Sequence, residues 1–179
     1  VRVLSSFEPG SGTLILQEEE GMEDAVITGI ASQQDQTKFT LHGVADTPGI
    51  ASGILSPISD EGIEVDVIVQ NVSVSNKTDF TFTVATIDRS RVEAVLNEKM
   101  KGISYDELII DEGIGKVSLV GVGMRSTAGI ASSAFNALAD AGINIQMIST
   151  SEIKITIVVA ANQLEDAVRT LHKAFNLGD

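Results

Sequence analysis

The sequence predicts an α+β fold made of two ferredoxin-like βαββαβ units, the first inserted into the second. Three observations carry that prediction. Residues 43–68 align with residues 123–148 without a gap at a constant offset of 80, and 10 of the 26 positions are identical. Within each copy the apolar spacing changes from strand-like to helix-like and back. The second copy lacks a final strand, while a strand-like run, Ala25–Ala31, stands unused ahead of the first copy.

The elements follow in order. Lys38–Val44 and Lys116–Val122 read as the opening strands of the two copies. Each leads through a turn into a helix. Pro48 suits the first turn of the first helix, where a missing N–H costs nothing. Ile50, Ile54, Leu55 and Ile58 recur at helical spacing, as do Ile130, Ala134, Phe135 and Leu138. Gly62 and Gly142 suit the helix ends. Strands are expected at Ile63–Val72 and Ile143–Ser149, then at Asp79–Ala85 and Glu152–Ala160. Second helices are expected at Asp88–Met100, with Asp88 as N-cap, and at Gln163–Phe175. Ser104–Ile110 closes the first copy as its fourth strand. The second copy ends on its helix, so Ala25–Ala31 is expected to complete its sheet. The predicted domains are therefore 33–110 for the first unit and 24–32 plus 111–179 for the second. Residues 1–23 fall outside both, with Val1–Leu4 and Thr13–Leu16 as two short strands ahead of an acidic segment, Gln17–Asp24.

Composition narrows the function. The 179 residues carry a net charge of −13, which repels nucleic-acid phosphates. Aromatic residues are 4% of the chain, too few for a base-stacking surface. No apolar run approaches the roughly 20 residues of a membrane span, and no signal peptide is visible, so the expected location is the cytoplasm. With no cysteine, disulfides and thiol chemistry are excluded. No phosphate-binding loop, dinucleotide motif or zinc-protease motif occurs. Catalytic and metal-binding residues are expected to be absent from this chain. Asp60/Glu61 read as a solvated helix face and Asp111/Glu112 as part of a connector.

The turn after the first strand reads Gly43-Val-Ala-Asp46-Thr47-Pro48-Gly49-Ile50-Ala51. Its glycines allow a close backbone approach, and the helix start offers free N–H groups to a carboxylate. Asp46, or carbonyls of a facing strand, can receive an ammonium group. That is the charge pattern of a free amino acid. The other reading of Asp46 is a turn or capping residue.

This loop and its flanking strands resemble the ACT domain, a small-molecule-binding module. Longer stretches resemble the regulatory region of bacterial aspartate kinases: Gln70-Asn-Val-Ser73, Thr78-Asp-Phe-Thr-Phe-Thr83, Lys116–Met124 and Asn144–Ile153. Val1–Phe7 and Gly12–Ile15 resemble the end of that family's kinase domain. The resemblance implies paired ACT domains that bind lysine and/or threonine and inhibit the ATP-dependent phosphorylation of L-aspartate. It implies effector contacts at Asp46, Thr47, Gly49, Ile50, Ala51, Gln70, Asn71, Ser73, Thr78 and Thr81 in the first unit. In the second unit they fall on Ser126, Ala131, Ser133, Asn144, Ile145 and Ser151. Some relatives carry a threonine and an acidic residue where this chain has Ala131 and Ser133. The implied partners are a kinase domain of the same enzyme, to which ATP and magnesium would belong, and a second copy of the chain packed through the ACT units. A separate regulatory subunit of this family would start near Met22; a chain beginning at Val1 reads as a piece of a longer polypeptide. The alternative is a free-standing tandem-ACT regulator. A phosphate-cleaving enzyme on this fold would need a cationic turn, and this one is acidic.

Overall fold

Two long strands carry the architecture. The computed structural model describes residues 2–3, 13–14, 26–72, 76–100, 102–122 and 129–177. Strand β1 (Arg2–Val3) pairs with β2 (Thr13–Leu14) in a small antiparallel sheet of their own. Strand β3 runs unbroken from Val26 to Ala45. It is followed by helix α1 (Ile50–Asp60), strands β4 (Ile68–Val72) and β5 (Lys77–Ala85), and helix α2 (Arg89–Lys99). Strand β6 then spans Glu107–Val122, followed by α3 (Ile130–Asp140), β7 (Met147–Thr150), β8 (Lys154–Ala160) and α4 (Leu164–Ala174). The main sheet is antiparallel in the order β4-β5-β3-β6-β8-β7.

The two long strands divide this sheet into two units. The later half of β3 lies between β5 and the first part of β6. The earlier half pairs along the last part of β6, from Val26↔Val122 to Gln33↔Lys116. Around β6 the second unit thus gains the strand missing from its own run, as expected for residues 26–31; Ala25 lies outside the described residues. The pairing slips between Gln33, Gln36 and Lys38, where the long strands pass from one unit to the other.

Each unit has its own apolar core. In the first, Phe39, Leu41, Phe80, Phe82 and Val84 pack against Ile54, Ile58, Val92 and Leu96. Phe39 and Phe82 stack with ring centroids 5.4 Å apart, a geometry that adds about 1 kcal/mol beyond area burial. In the second, Val117, Leu119, Ile155, Ile157 and Val159 pack against Ala134, Leu138, Ala167 and Leu171. The helical spacing expected of α1 and α3 is what delivers Ile54/Ile58 and Ala134/Leu138 to these cores.

Alternation places the intervening strand residues on the helix-free face. In an isolated sheet that face would be wet, yet Thr83 is fully buried there, as are Val158 and Thr156 to within 2%. The units cover one another: Lys38 donates to Gln146 Oε1 at 2.8 Å, and Lys116 pairs with Asp66. The helix-free faces therefore pack toward each other, with the helices outside.

Several local expectations are corrected. Asp111 and Glu112 lie within β6, not in a connector, because the fourth strand of one unit runs directly into the first strand of the other. Residues 63–67 are not a regular strand; they meet β5 through Asp66 N–H to Thr83 O and Thr83 N–H to Val67 O, both 3.0 Å. Pro48 lies before the helix, and Gly49 is the N-cap, with φ +94°. Asp88 occupies the N-cap position of α2, but its carboxylate accepts from Arg91 at 2.5 Å and caps no amide.

Candidate functional site

The turn leading into α1 is built by the end of β3. A bulge between Leu41 and Val44 re-aims the strand. Gly43 sits there with φ +69°, and a Cβ on it would collide with the Asp106 carboxylate. The close approach that its glycine permits is thus to the protein's own Asp106, which Lys77 holds at 2.5 Å. Asp79 Oδ1 fixes the same bulge, accepting the Gly43 N–H at 3.0 Å and lying 2.6 Å from His42 Nδ1.

Beyond the bulge the chain reaches Asp46. Its N–H donates to Asn76 O at 2.9 Å, which ties the turn to the start of β5. Its carboxylate is exposed and has no side-chain partner among the described residues. Thr47 O accepts the Ile50 N–H at 3.2 Å, and Gly49 O accepts from Gly53 at 2.9 Å. Between them, the amides of Ala51 and Ser52 have no backbone acceptor among the described residues. An unpaired carboxylate thus stands in the turn that opens onto unpaired helix-start amides. The first can hold an ammonium group and the second a carboxylate.

The other residues of the first unit lie close in the fold. Gln70 and Asn71 are exposed on edge strand β4. Thr78 is buried and donates to Asn71 O at 2.6 Å; it also lies opposite Val44 in the sheet. Thr81 faces the other way, its hydroxyl 3.0 Å from that of Thr40. In the second unit, Gly129 repeats the Gly49 cap with φ +106°. Ala131 and Ser133 follow it in the first turn of α3, with Ser133 N–H donating to Gly129 O at 2.8 Å. Asn144 is exposed ahead of β7, Ile145 packs on the second core, and Ser151 N–H closes on Lys154 O at 2.7 Å. Ser73 and Ser126 lie outside the described residues.

One cleft, of about 470 Å³, joins the units. Lys38, Thr40, Asn71 and Thr81 line it from the first unit, and Gln146 and Met147 from the second. It brings Asn71 and Thr81 together, but its lining does not include the turn at 46–51. Sequence reasoning missed Lys38, Thr40 and Gln146 here. Alternation with Phe39 and Leu41 placed the first two on the helix-free face; nothing in the pattern revealed what stands opposite. Among the described residues no group of three or more His, Asp or Glu side chains could hold a metal, and no helix is long and apolar enough to cross a membrane.

Comparison with known proteins places this geometry in a family. ACT domain models match residues 40–101 and residues 117–175. Over 178 residues the chain is 56% identical to an aspartate kinase of Pseudomonas fluorescens, covering 99% of this chain and 43% of that protein. The chain thus spans less than half the length of the curated relatives it matches. A crystal structure of aspartokinase alpha and beta subunits superposes with TM-score 0.78 at 45% identity, covering 85% of this chain and all of that one. The ligand-free regulatory subunit of aspartate kinase from Thermus thermophilus matches with TM-score 0.78 at 36% identity, covering 84% of this chain and 99% of that one.

Proposed function

The chain belongs to the aspartate kinase family, as a regulatory part with two ACT domains, and from that premise we propose that it senses amino acids for such an enzyme. It mediates feedback inhibition, by lysine, threonine or both, of the ATP-dependent phosphorylation of L-aspartate. The observation that carries this reading is the turn at 46–52, where the unpaired Asp46 carboxylate accompanies the open amides of Ala51 and Ser52. A free amino acid brings the complementary pair of charges, and lysine brings a second ammonium group. Thr78 lies opposite Val44 at the end of β3 and holds Asn71 O, Gln70 stands beside Asn71 on β4, and Asn71 and Thr81 open onto the cleft between the units. Ala131, Ser133, Asn144, Ile145 and Ser151 are the corresponding effector contacts of the second unit in this reading; Ser126, the remaining one, lies outside the described residues.

In this reading the first ACT domain, residues 33–110, is inserted into the second, residues 24–32 plus 111–179. The paired strands β3 and β6 support it, because each serves both units. The β1–β2 hairpin belongs to neither unit, which favours attachment to a kinase domain over a free-standing regulator. ATP and magnesium act in that domain, in the cytoplasm. The functional form is a dimer. Ile68 on β4 and Ile148 on β7 occupy matching repeat positions on the two edge strands and are 45% and 41% exposed. Edge strands with exposed apolar residues are ready to pair with another chain.

Regulation through effector binding requires different affinity for the active and inhibited states. Loss of Asp46 removes binding energy without touching the kinase chemistry. In the whole enzyme, Asp46→Ala should raise the lysine concentration for half-inhibition by roughly thirtyfold, the equivalent of about 2 kcal/mol, at an unchanged uninhibited rate. Unaltered inhibition by both lysine and threonine would refute the assignment.

A further inference from the structure

The bulge that opens the turn at 46–52 is held from the neighbouring strand. Leu41 pairs with Phe80 and Val44 with Thr78, so His42 and Gly43 together stand opposite one residue, Asp79. The extra residue swaps the two faces of β3 from that point on. Because of it Val44 enters the first core, fully buried, where an even alternation from Leu41 would send Gly43. The strand ends at Ala45, so the same swap sets the direction in which the chain leaves it and the placing of Asp46.

Asp79 supplies what the bulge lacks. A bulge disrupts the local ladder and leaves its extra residue without a strand partner. Asp79 Oδ1 takes the Gly43 N–H at 3.0 Å and lies 2.6 Å from His42 Nδ1. Both bulge residues are thereby tied to one oxygen. The Asp79 side chain is 49% exposed and belongs to neither core. An amide near water can bond to water at little cost, so this carboxylate is not needed to satisfy Gly43. What it adds is a fixed place for that amide. Gly43 needs the constraint, because a glycine at φ +69° has wide conformational alternatives. Strand β8, which follows β7 as β5 follows β4, reads Lys-Ile-Thr-Ile-Val-Val-Ala and offers no carboxylate. The arrangement belongs to the first unit, whose turn carries Asp46.

We infer that Asp79 is a positioning residue for amino-acid binding at the turn at 46–52. By holding the Gly43 amide it keeps the bulge in the register that presents Asp46 to the ligand's ammonium group, and it acts through Asp46 without touching the ligand itself. The inference rests on the proposed function for the binding event and gives a role to a residue outside the effector contacts.

The test pairs amide hydrogen exchange with calorimetric titration of the full chain by L-lysine and L-threonine, on the parent, Asp79→Ala and Asp79→Asn. Asn keeps a side-chain oxygen able to accept the Gly43 N–H, so it should rescue what Ala loses. In the ligand-free chain Asp79→Ala should speed exchange of the Gly43 amide about tenfold. The same variant should weaken binding of whichever amino acid the parent binds about tenfold, while Asp79→Asn stays within about threefold of the parent. Asp79→Val, which lacks an acceptor but suits a strand, should match Asp79→Ala and serves if the latter does not fold. Unchanged Gly43 exchange in the variants without an acceptor would overturn the inference. So would unchanged affinity, whatever happens to the melting temperature, or an equal loss in Asp79→Asn, which would make the charge and not the held amide the agent. Failure of the proposed function is distinguishable: the parent itself would bind neither amino acid, which refutes this inference with it.

Discussion

The pair formed by Lys116 and Asp66 should respond very unequally to removal of its two partners. The Lys116 side chain is 2% exposed, whereas that of Asp66 is 40% exposed. Asp66→Ala leaves a buried ammonium group with no acceptor among the described residues. Breaking a buried pair in this way costs about 3–5 kcal/mol. The seam between the units holds an opening of about 390 Å³ beside this pair, which admits some water and brings the expectation down to about 2–3 kcal/mol. Lys116→Met removes the buried charge and keeps most of the volume. The Asp66 carboxylate it leaves behind is already partly in water, so stability should stay within about 1 kcal/mol of the parent. Urea unfolding, compared at constant slope with denaturant, measures both changes. The midpoint should fall clearly for Asp66→Ala and little for Lys116→Met. A Lys116→Met variant destabilised as much as Asp66→Ala, or more, would refute the account of the seam as a buried cation served by a half-exposed carboxylate.

Other expectations follow from the same geometry. Gly49→Ala and Gly129→Ala should each cost about 1–2 kcal/mol, because both caps have φ near +100°. No atom lies within 4 Å of the added Cβ, so Gly→Ala losses far above that range would point to contacts instead of backbone strain. Ile58→Ala should lower stability by about 2–5 kcal/mol through the cavity left in the first core, again read from denaturant midpoints. The hydrogen bond from Lys99 holds the Glu61 carboxyl below its usual range, with the Lys99 charge acting in the same direction. A depressed folded-state pKa stabilises above the unfolded value, and that contribution is lost as pH falls through the folded one. Glu61 should therefore titrate at lower pH than a free glutamate by NMR, and Lys99→Met should return it toward the ordinary value. Asp46→Ala should leave thermal stability nearly unchanged while weakening lysine binding more than threonine binding, since the Asp46 carboxylate caps no amide. A lowered melting temperature with intact lysine affinity would make Asp46 structural.

Much of this architecture was legible in the chain. Repeated Gly49/Gly129, Gly62/Gly142 and Ile63/Ile143 marked equivalent turns and core positions, and the structure gives both pairs of glycines positive φ. The run ahead of the first copy was legible as a missing strand because the second copy came up one short. The continuity of β3 was not. Gln33, Gln34, Asp35 and Gln36 form a polar stretch that reads as a break, yet the strand passes through it with Asp35 at φ +54°. Burial of Lys116 was equally hidden. Alternation with Val117 and Leu119 puts it on the helix-free face, and a period of two cannot tell whether that face meets water or another sheet. The turn at 46–51 was found from residue chemistry, but the ligand value assigned to Gly43 was misplaced. Its missing Cβ makes room for Asp106, a neighbour 63 residues along that no local pattern announces.

The most direct test of the amino-acid-sensing account is calorimetric titration of the full chain with lysine and with threonine, separately and then together, alongside the Asp46→Ala variant. The account predicts saturable binding of at least one of them, and a loss of roughly thirtyfold or more in lysine affinity when Asp46 is removed. No binding of either amino acid at millimolar concentration, or binding that Asp46→Ala leaves untouched for both, would contradict it.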